Sequence, residues 1–193
     1  MASVSTYGDA RSQNILLLGD SLSAGYGIDP DRGWATQLSN ELGERYRLIN
    51  ASISGETTAG GLQRLPVLLA QTSPKIVIIE LGGNDGLRGY PLASIRNNLK
   101  QLITLSGNSG ADILLLGMRI PPNYGRRYSE GFAALYRELA EEHGVTLLPF
   151  FLDGVAGNPS LMQADGIHPN AQAQPQLARA VSNTLTPLLQ APH

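Results

Sequence analysis

Apolar residues gather along this chain in short runs, Asn14–Leu18, Arg47–Asn50, Ile76–Leu81, Ile113–Leu116 and Val145–Leu148. Most of these runs are apolar at nearly every position instead of alternating, which suits strands covered on both faces in a parallel sheet. Between them, longer mixed segments predict helices over Trp34–Leu42, Ala59–Leu69 (interrupted or kinked at Pro66), Leu92–Leu105, Ser129–Glu142 and Ala171–Leu189. Pro175 falls in the first turn of the last one, where a missing N–H is tolerated. Strands alternating with helices imply right-handed crossovers and an α/β fold, a three-layer α/β/α sandwich. No internal repeat of about 20 to 50 residues and no low-complexity tract competes with that reading. In such sheets ligands bind outside the carboxyl ends of the strands, so the residues after each run hold the candidate chemistry.

The first run ends in Gly19-Asp20-Ser21-Leu22-Ser23, which places a hydroxyl where a buried strand turns sharply. Serine is a weak nucleophile alone and needs a base and an oxyanion stabiliser within reach. The same residues also make an ordinary helix N-cap or turn. The second run leads into a small-residue loop, Ala51 to Thr58, in which Gly55 offers either a backbone N–H to a substrate oxygen or a tight turn. The third delivers Gly82-Gly83-Asn84-Asp85-Gly86, where Asn84 is a candidate donor or a turn former. Of the three histidines, His143 precedes Gly144 at a predicted helix end and His193, last in the sequence, is expected to fray, which leaves His168 in Asp165-Gly166-Ile167-His168-Pro169 as the best base. Asp165 is placed to accept Nδ1–H and leave Nε2 for the serine. That pentapeptide also reads as a helix start with Asp165 near the N-cap and Pro169 near the first position.

Composition removes competing classes. Over 193 residues, 42% are hydrophobic and 16% charged, enough for a core and against disorder. The length fits a single domain over residues 1–193, with the polar stretch 1–13 as a flexible N-terminal segment lacking the apolar middle of a secretory signal. Lys and Arg number 14 against 16 Asp and Glu, 14 − 16 = −2, with no basic stripe, so nucleic acid is not an expected partner. The dense basic spot of Arg119, Arg126 and Arg127 reads as a solvated loop with local ion pairs. There are no cysteines, hence no disulfide, thiolate metal site or cysteine nucleophile. No apolar stretch approaches the roughly 20 residues that span a bilayer, so no stable membrane insertion is expected. No histidine pair has metal-ligand spacing, so no metal site is expected, and no GxGxxG or phosphate-loop pattern follows the first strand.

Gly-Asp-Ser-Leu near the start, the loop glycine, Gly-Gly-Asn-Asp in the middle and Asp-Gly-Ile-His near the end resemble, in this order, the blocks of the SGNH or GDSL hydrolase family. Ile15 to Tyr26 and Arg119 to Tyr128 are similar to its bacterial branch of thioesterases, lysophospholipases and arylesterases. The resemblance implies a flavodoxin-like five-stranded parallel sheet and a catalytic triad of Ser21, His168 and Asp165. It also implies an oxyanion hole from the Ser21 N–H, the Gly55 N–H and the Asn84 side chain. No cofactor is implied, and the partner is a small-molecule acyl ester or thioester, cleaved by a monomer that is periplasmic or secreted, with the cytoplasm left open. The family's mobile loop corresponds to Asp85 through Tyr90, so Asp85, Gly86 and Leu87 are candidate substrate-loop residues. Leu87, Pro121 and Pro122 either contact an acyl chain or simply pack. Three other readings stay open: a carbohydrate O-acetyl esterase with the same triad, a non-catalytic flavodoxin-like binding module, and a metal-dependent hydrolase.

Overall fold

A computed structural model describes residues 12–190, and all statements of structure refer to these. His193 and most of the 1–13 segment lie outside them. The end of that segment departs from the expectation, because Gln13 opens the first strand by pairing with Tyr46.

The five expected strands form one parallel sheet: β1 (Gln13–Gly19), β2 (Tyr46–Asn50), β3 (Ile76–Glu80), β4 (Asp112–Leu116) and β5 (Thr146–Leu148), in the order β2-β1-β3-β4-β5. The continuous apolar runs have the predicted cause. Ile15 to Leu18 and Ile76 to Ile79 are fully buried, because helices cover both faces. On one face α2 (Trp34–Leu42) packs with α7 (Gln174–Gln190), and on the other α5 (Leu92–Asn108) lies between α3 (Thr58–Thr72) and α6 (Arg126–His143). The strand order reverses direction at β1, which sends β1 and β3 side by side to the centre and their following turns to one rim.

Two departures from the sequence reading have plain causes. The helix α3 runs through Pro66 without a break; Pro66 sits on the exposed side, and burial of Leu65 with Leu62 and Leu69 against the core outweighs one lost backbone bond. The last helix begins at Gln174 and not at Ala171, so the residues around Asp165 and Pro169 are loop and not helix start. Two short helices escaped the periodicity, α1 (Ser21–Ala24) and α4 (Gly83–Leu87), because neither is long enough to show a 3.6-residue repeat.

Candidate active site

The nucleophile turn is built on close packing between the two central strands. A Cβ added to Gly19 would stand 2.8 Å from both the Glu80 Oε2 and the Ser23 Oγ, so only glycine fits where β1 ends against β3. Asp20 then caps α1, its Oδ1 accepting the Leu22 N–H at 3.0 Å, and Ser21 becomes the first helical residue, half-buried. The N-cap expected in this stretch is therefore real and belongs to Asp20, which leaves the Ser21 hydroxyl available. The indole of Trp34 fixes the turn from behind by donating to the Leu22 carbonyl at 3.1 Å.

His168 comes from a loop that folds back on itself. An isolated bridge joins Met162 to Pro169, Gln163 N–H donates to the His168 carbonyl at 2.7 Å, and the Gln163 side chain donates to the Tyr26 carbonyl at 2.8 Å. Within this loop Asp165 Oδ1 accepts the backbone N–H of Ile167 and of His168 at 2.9 and 3.0 Å. Its Oδ2 stands 2.6 Å from His168 Nδ1, and His168 Nε2 stands 2.9 Å from Ser21 Oγ. The backbone and side-chain hydrogen bonds from His168, with the one from the Ile167 N–H, hold the Asp165 carboxyl down at about 2. An ionised carboxylate facing Nδ1 favours the proton there, and in the neutral imidazole that tautomer leaves Nε2 to accept from the serine hydroxyl.

Asn84 enters from the turn after β3. Gly82 has a φ of 112°, and the Tyr136 hydroxyl approaches so closely, donating to the Leu81 carbonyl at 2.9 Å, that a side chain at 82 would collide with it. This turn starts α4 and directs Asn84 Nδ2 to the Asp20 Oδ2 and the Glu56 carbonyl, each at 3.0 Å. The loop holding Gly55 reaches the same rim because it continues the β1 pairing past the strand, Ala51 N–H to Leu17 O at 2.9 Å and Ile53 N–H to Gly19 O at 3.1 Å. Gly55 adopts φ 80° and is exposed, its carbonyl accepting from Arg88 at 3.3 Å.

Beneath the serine lie two neighbouring buried carboxyl groups, Asp20 and Glu80. Burial pushes Asp20 up to about 6, the Leu22 N–H and other hydrogen bonds opposing it. Glu80, fully buried and beside Asp20, is pushed well above the usual range, chiefly by burial. Apolar surroundings disfavour charge on either, and two neighbouring carboxylates disfavour it further.

The Ser21–His168 pair opens onto a cavity of about 500 Å³ whose walls include Leu22, Leu87, Met118, Ile120, Phe150 and Ile167. Pro121 and Pro122 line it as well, beside Leu87. Asp85 and Gly86 do not, contrary to the substrate-loop expectation. The α4 helix turns both inward: Asp85 accepts the Thr58 N–H and hydroxyl at 2.9 and 2.6 Å, and Gly86 packs against Ile120 and Phe132. The basic spot divides, with Arg126 pairing with Glu130 at 2.7 Å while Arg119 lines the cavity, 4.7 Å over the Phe150 ring. Sequence reasoning passed over Asp20, Glu80 and Tyr26. Glu80 had a visible signal, an acid inside a run that is otherwise apolar. Among the described residues no three His, Asp or Glu side chains group to hold a metal ion, and no helix is long and apolar enough to cross a membrane.

Residues 17–174 match the GDSL-like lipase/acylhydrolase family. The chain belongs to this family. It is 50% identical over 183 residues to the esterase TesA of Pseudomonas aeruginosa, spanning 93% of this chain and 91% of that protein. It is 46% identical over 184 residues to the thioesterase 1/protease 1/lysophospholipase L1 of Escherichia coli, spanning 95% and 88%. A crystal structure of TesA superposes with a TM-score of 0.88 at 51% identity, covering 91% of this chain and 99% of that one. The α/β sandwich of this GDSL hydrolase is thus the fold of its family, the chain is a serine esterase, and the reading as a binding module falls away.

Proposed function

We propose that this GDSL hydrolase cleaves carboxylic esters and thioesters of apolar acyl groups through an acyl-enzyme, with Ser21 as nucleophile, His168 as base and Asp165 orienting the imidazole. The observation that carries the reading is the chain of contacts from Ser21 Oγ to His168 Nε2 at 2.9 Å and from His168 Nδ1 to Asp165 Oδ2 at 2.6 Å, at the mouth of an apolar cavity. As Ser21 Oγ attacks the carbonyl carbon, Nε2 takes its proton and the imidazolium is stabilised by the ionised Asp165. The N–H groups of Ser21 and Gly55 and the Asn84 amide receive the oxyanion. The imidazolium then gives the proton to the departing alcohol or thiol, and water activated by the same nitrogen releases the acid. No cofactor enters these steps.

Acyl-CoA thioesters, aryl esters and lysophospholipids are the proposed substrates. The names of the relatives, esterase and thioesterase/lysophospholipase, support ester, thioester and lysophospholipid substrates, and the cavity, which an acetyl group would leave mostly empty, supports longer acyl groups. The enzyme is taken as a monomer that is periplasmic or secreted, the location supported by the family resemblance; the chain length supports a single domain and the net charge of −2 supports no nucleic-acid partner. Light scattering tests the monomer and cell fractionation the location.

The deciding experiment is a chain-length series of p-nitrophenyl esters and acyl-CoA thioesters, with acetylated xylan as a further arm and Ser21→Ala as control. A fluorophosphonate should label the native chain and not Ser21→Ala. A folded native chain that takes no label, or a Ser21→Ala variant with full activity, overturns the assignment.

A further inference from the structure

Asp20 has no part in the steps above, yet its carboxyl is almost wholly buried next to the nucleophile, at 2% exposure. Its two oxygens serve different partners. Oδ1 caps α1 through the Leu22 N–H, and Oδ2 accepts from Asn84 Nδ2 at 3.0 Å. The Glu56 carbonyl is the second acceptor of that Nδ2, also at 3.0 Å. An amide side chain is nearly symmetric in shape, so its hydrogen-bond partners alone decide which end points where. Flipped over, Asn84 would set its oxygen against a carboxylate and a carbonyl with no hydrogen between them.

Asp20 is itself held from below. Its backbone N–H donates to Glu80 Oε2 at 3.2 Å, and the Ser23 hydroxyl donates to the same oxygen at 2.6 Å. Glu80 ends β3, the strand whose following turn carries Asn84, so both partners of the Asp20–Asn84 bond are anchored to one strand end. Burial raises the Asp20 carboxyl to about 6, so it carries its charge above that pH.

We propose that Asp20 is a positioning residue for the hydrolysis: its carboxylate holds the Asn84 amide with Nδ2 turned to the reacting carbonyl oxygen. The inference rests on Asn84 being an oxyanion donor, as read above. Both hydrogens of Nδ2 are engaged before substrate arrives. When the oxyanion forms, the neutral Glu56 carbonyl yields its hydrogen, and the charge-assisted bond to Asp20 persists and keeps the amide oriented.

Asp20→Asn separates positioning from capping. Asparagine caps a helix as well as aspartate does, so Oδ1 still serves Leu22, but a donor now faces the donor of Asn84. The expected result on p-nitrophenyl butyrate is a fall in kcat of about 10- to 100-fold, below the loss of a whole oxyanion donor, with KM within about twofold and Tm unchanged. In the double variant Asp20→Asn/Asn84→Ala the rate should equal that of Asn84→Ala alone, because Asp20 acts through that amide. Asp20→Ser, which keeps a capping oxygen too short to reach Asn84, reads the same way if Asp20→Asn does not fold. Unchanged or raised kcat in Asp20→Asn overturns the proposal, and so do losses that multiply in the double variant, which would mean that Asp20 acts on another group such as His168. Full activity in Asn84→Ala overturns the oxyanion reading itself, a result distinct from the others.

Discussion

The ring of Tyr26 lies against the imidazole of His168, centroids 4.5 Å apart and planes inclined by 38°. The Tyr26 carbonyl also accepts from Gln163 at 2.8 Å, so the turn after α1 and the loop of His168 are joined twice. Aromatic pairs contribute about 0.5 to 1.5 kcal/mol, so Tyr26→Ala should lower kcat/KM by about 2- to 10-fold through a less confined imidazole. Steady-state kinetics on one short ester decides this; an unchanged value would mean that Asp165 and the loop hold the ring unaided.

Asp165→Asn keeps an oxygen for the Ile167 and His168 N–H groups, so the loop should fold. The amide no longer enforces the Nδ1–H tautomer, and kcat should drop by roughly 10⁴, as in the serine protease triad. A loss of less than about tenfold would remove Asp165 from the mechanism.

The same carboxyl predicts a feature of the pH profile. Its folded pKa, about 2, is below its ordinary value of 3.8. The stability it contributes is therefore complete above the ordinary value and is lost only as pH falls towards the folded one. Asp165 should therefore add no inflection of its own to kcat/KM of the native enzyme above about pH 4, and a pH–rate profile that shows a carboxylate limb between about pH 4 and 5, absent in Asp165→Asn, would overturn this.

Glu80 has the opposite sign. Its folded pKa is raised well above the ordinary 4.5, so the folded state prefers the protonated form, and stability declines as pH rises past the ordinary value. Glu80→Gln mimics the protonated group, keeping an oxygen for Asp20 N–H and Ser23. Its Tm should match or exceed the native one at about pH 8, with a shallower decline from about pH 5. Thermal unfolding across that range tests it, and a parallel decline in both proteins would show that Glu80 is charged in the fold.

Leu87→Trp narrows the cavity from the α4 side. Each buried methylene contributes about 0.8 kcal/mol, so removing room for part of the chain should move the optimum of kcat/KM towards shorter acyl groups. Retention of the native chain-length profile would place the acyl group elsewhere.

Local pattern carried the strands because burial on both faces forces nearly continuous apolar runs, and Ile15 to Leu18 shows this with no exposed position. It offered the triad candidates for different reasons: Ser21 follows the first run, whereas His168, with Asp165 three residues before it, stands out because the chain has only three histidines. It failed where the determining contact is distant. Asp85 follows Asn84 directly, yet the Thr58 N–H and hydroxyl draw its side chain inward, away from the cavity. Pro66 would break an isolated helix, but core packing carries α3 through it.

The chain alone determined the element order, the absence of thiol chemistry, a candidate hydroxyl at the end of the first strand and a candidate imidazole and carboxylate ahead of the last helix. Tertiary structure decided which of these meet. Ser21 and His168 are 147 residues apart in sequence and 2.9 Å apart in space. It also paired Asp20 with Asn84 and buried Glu80 beneath the serine. The reason is that hydrophobic periodicity is read over a few neighbouring residues, whereas a hydrogen bond between side chains exists only once the sheet order has brought separate loops to one rim.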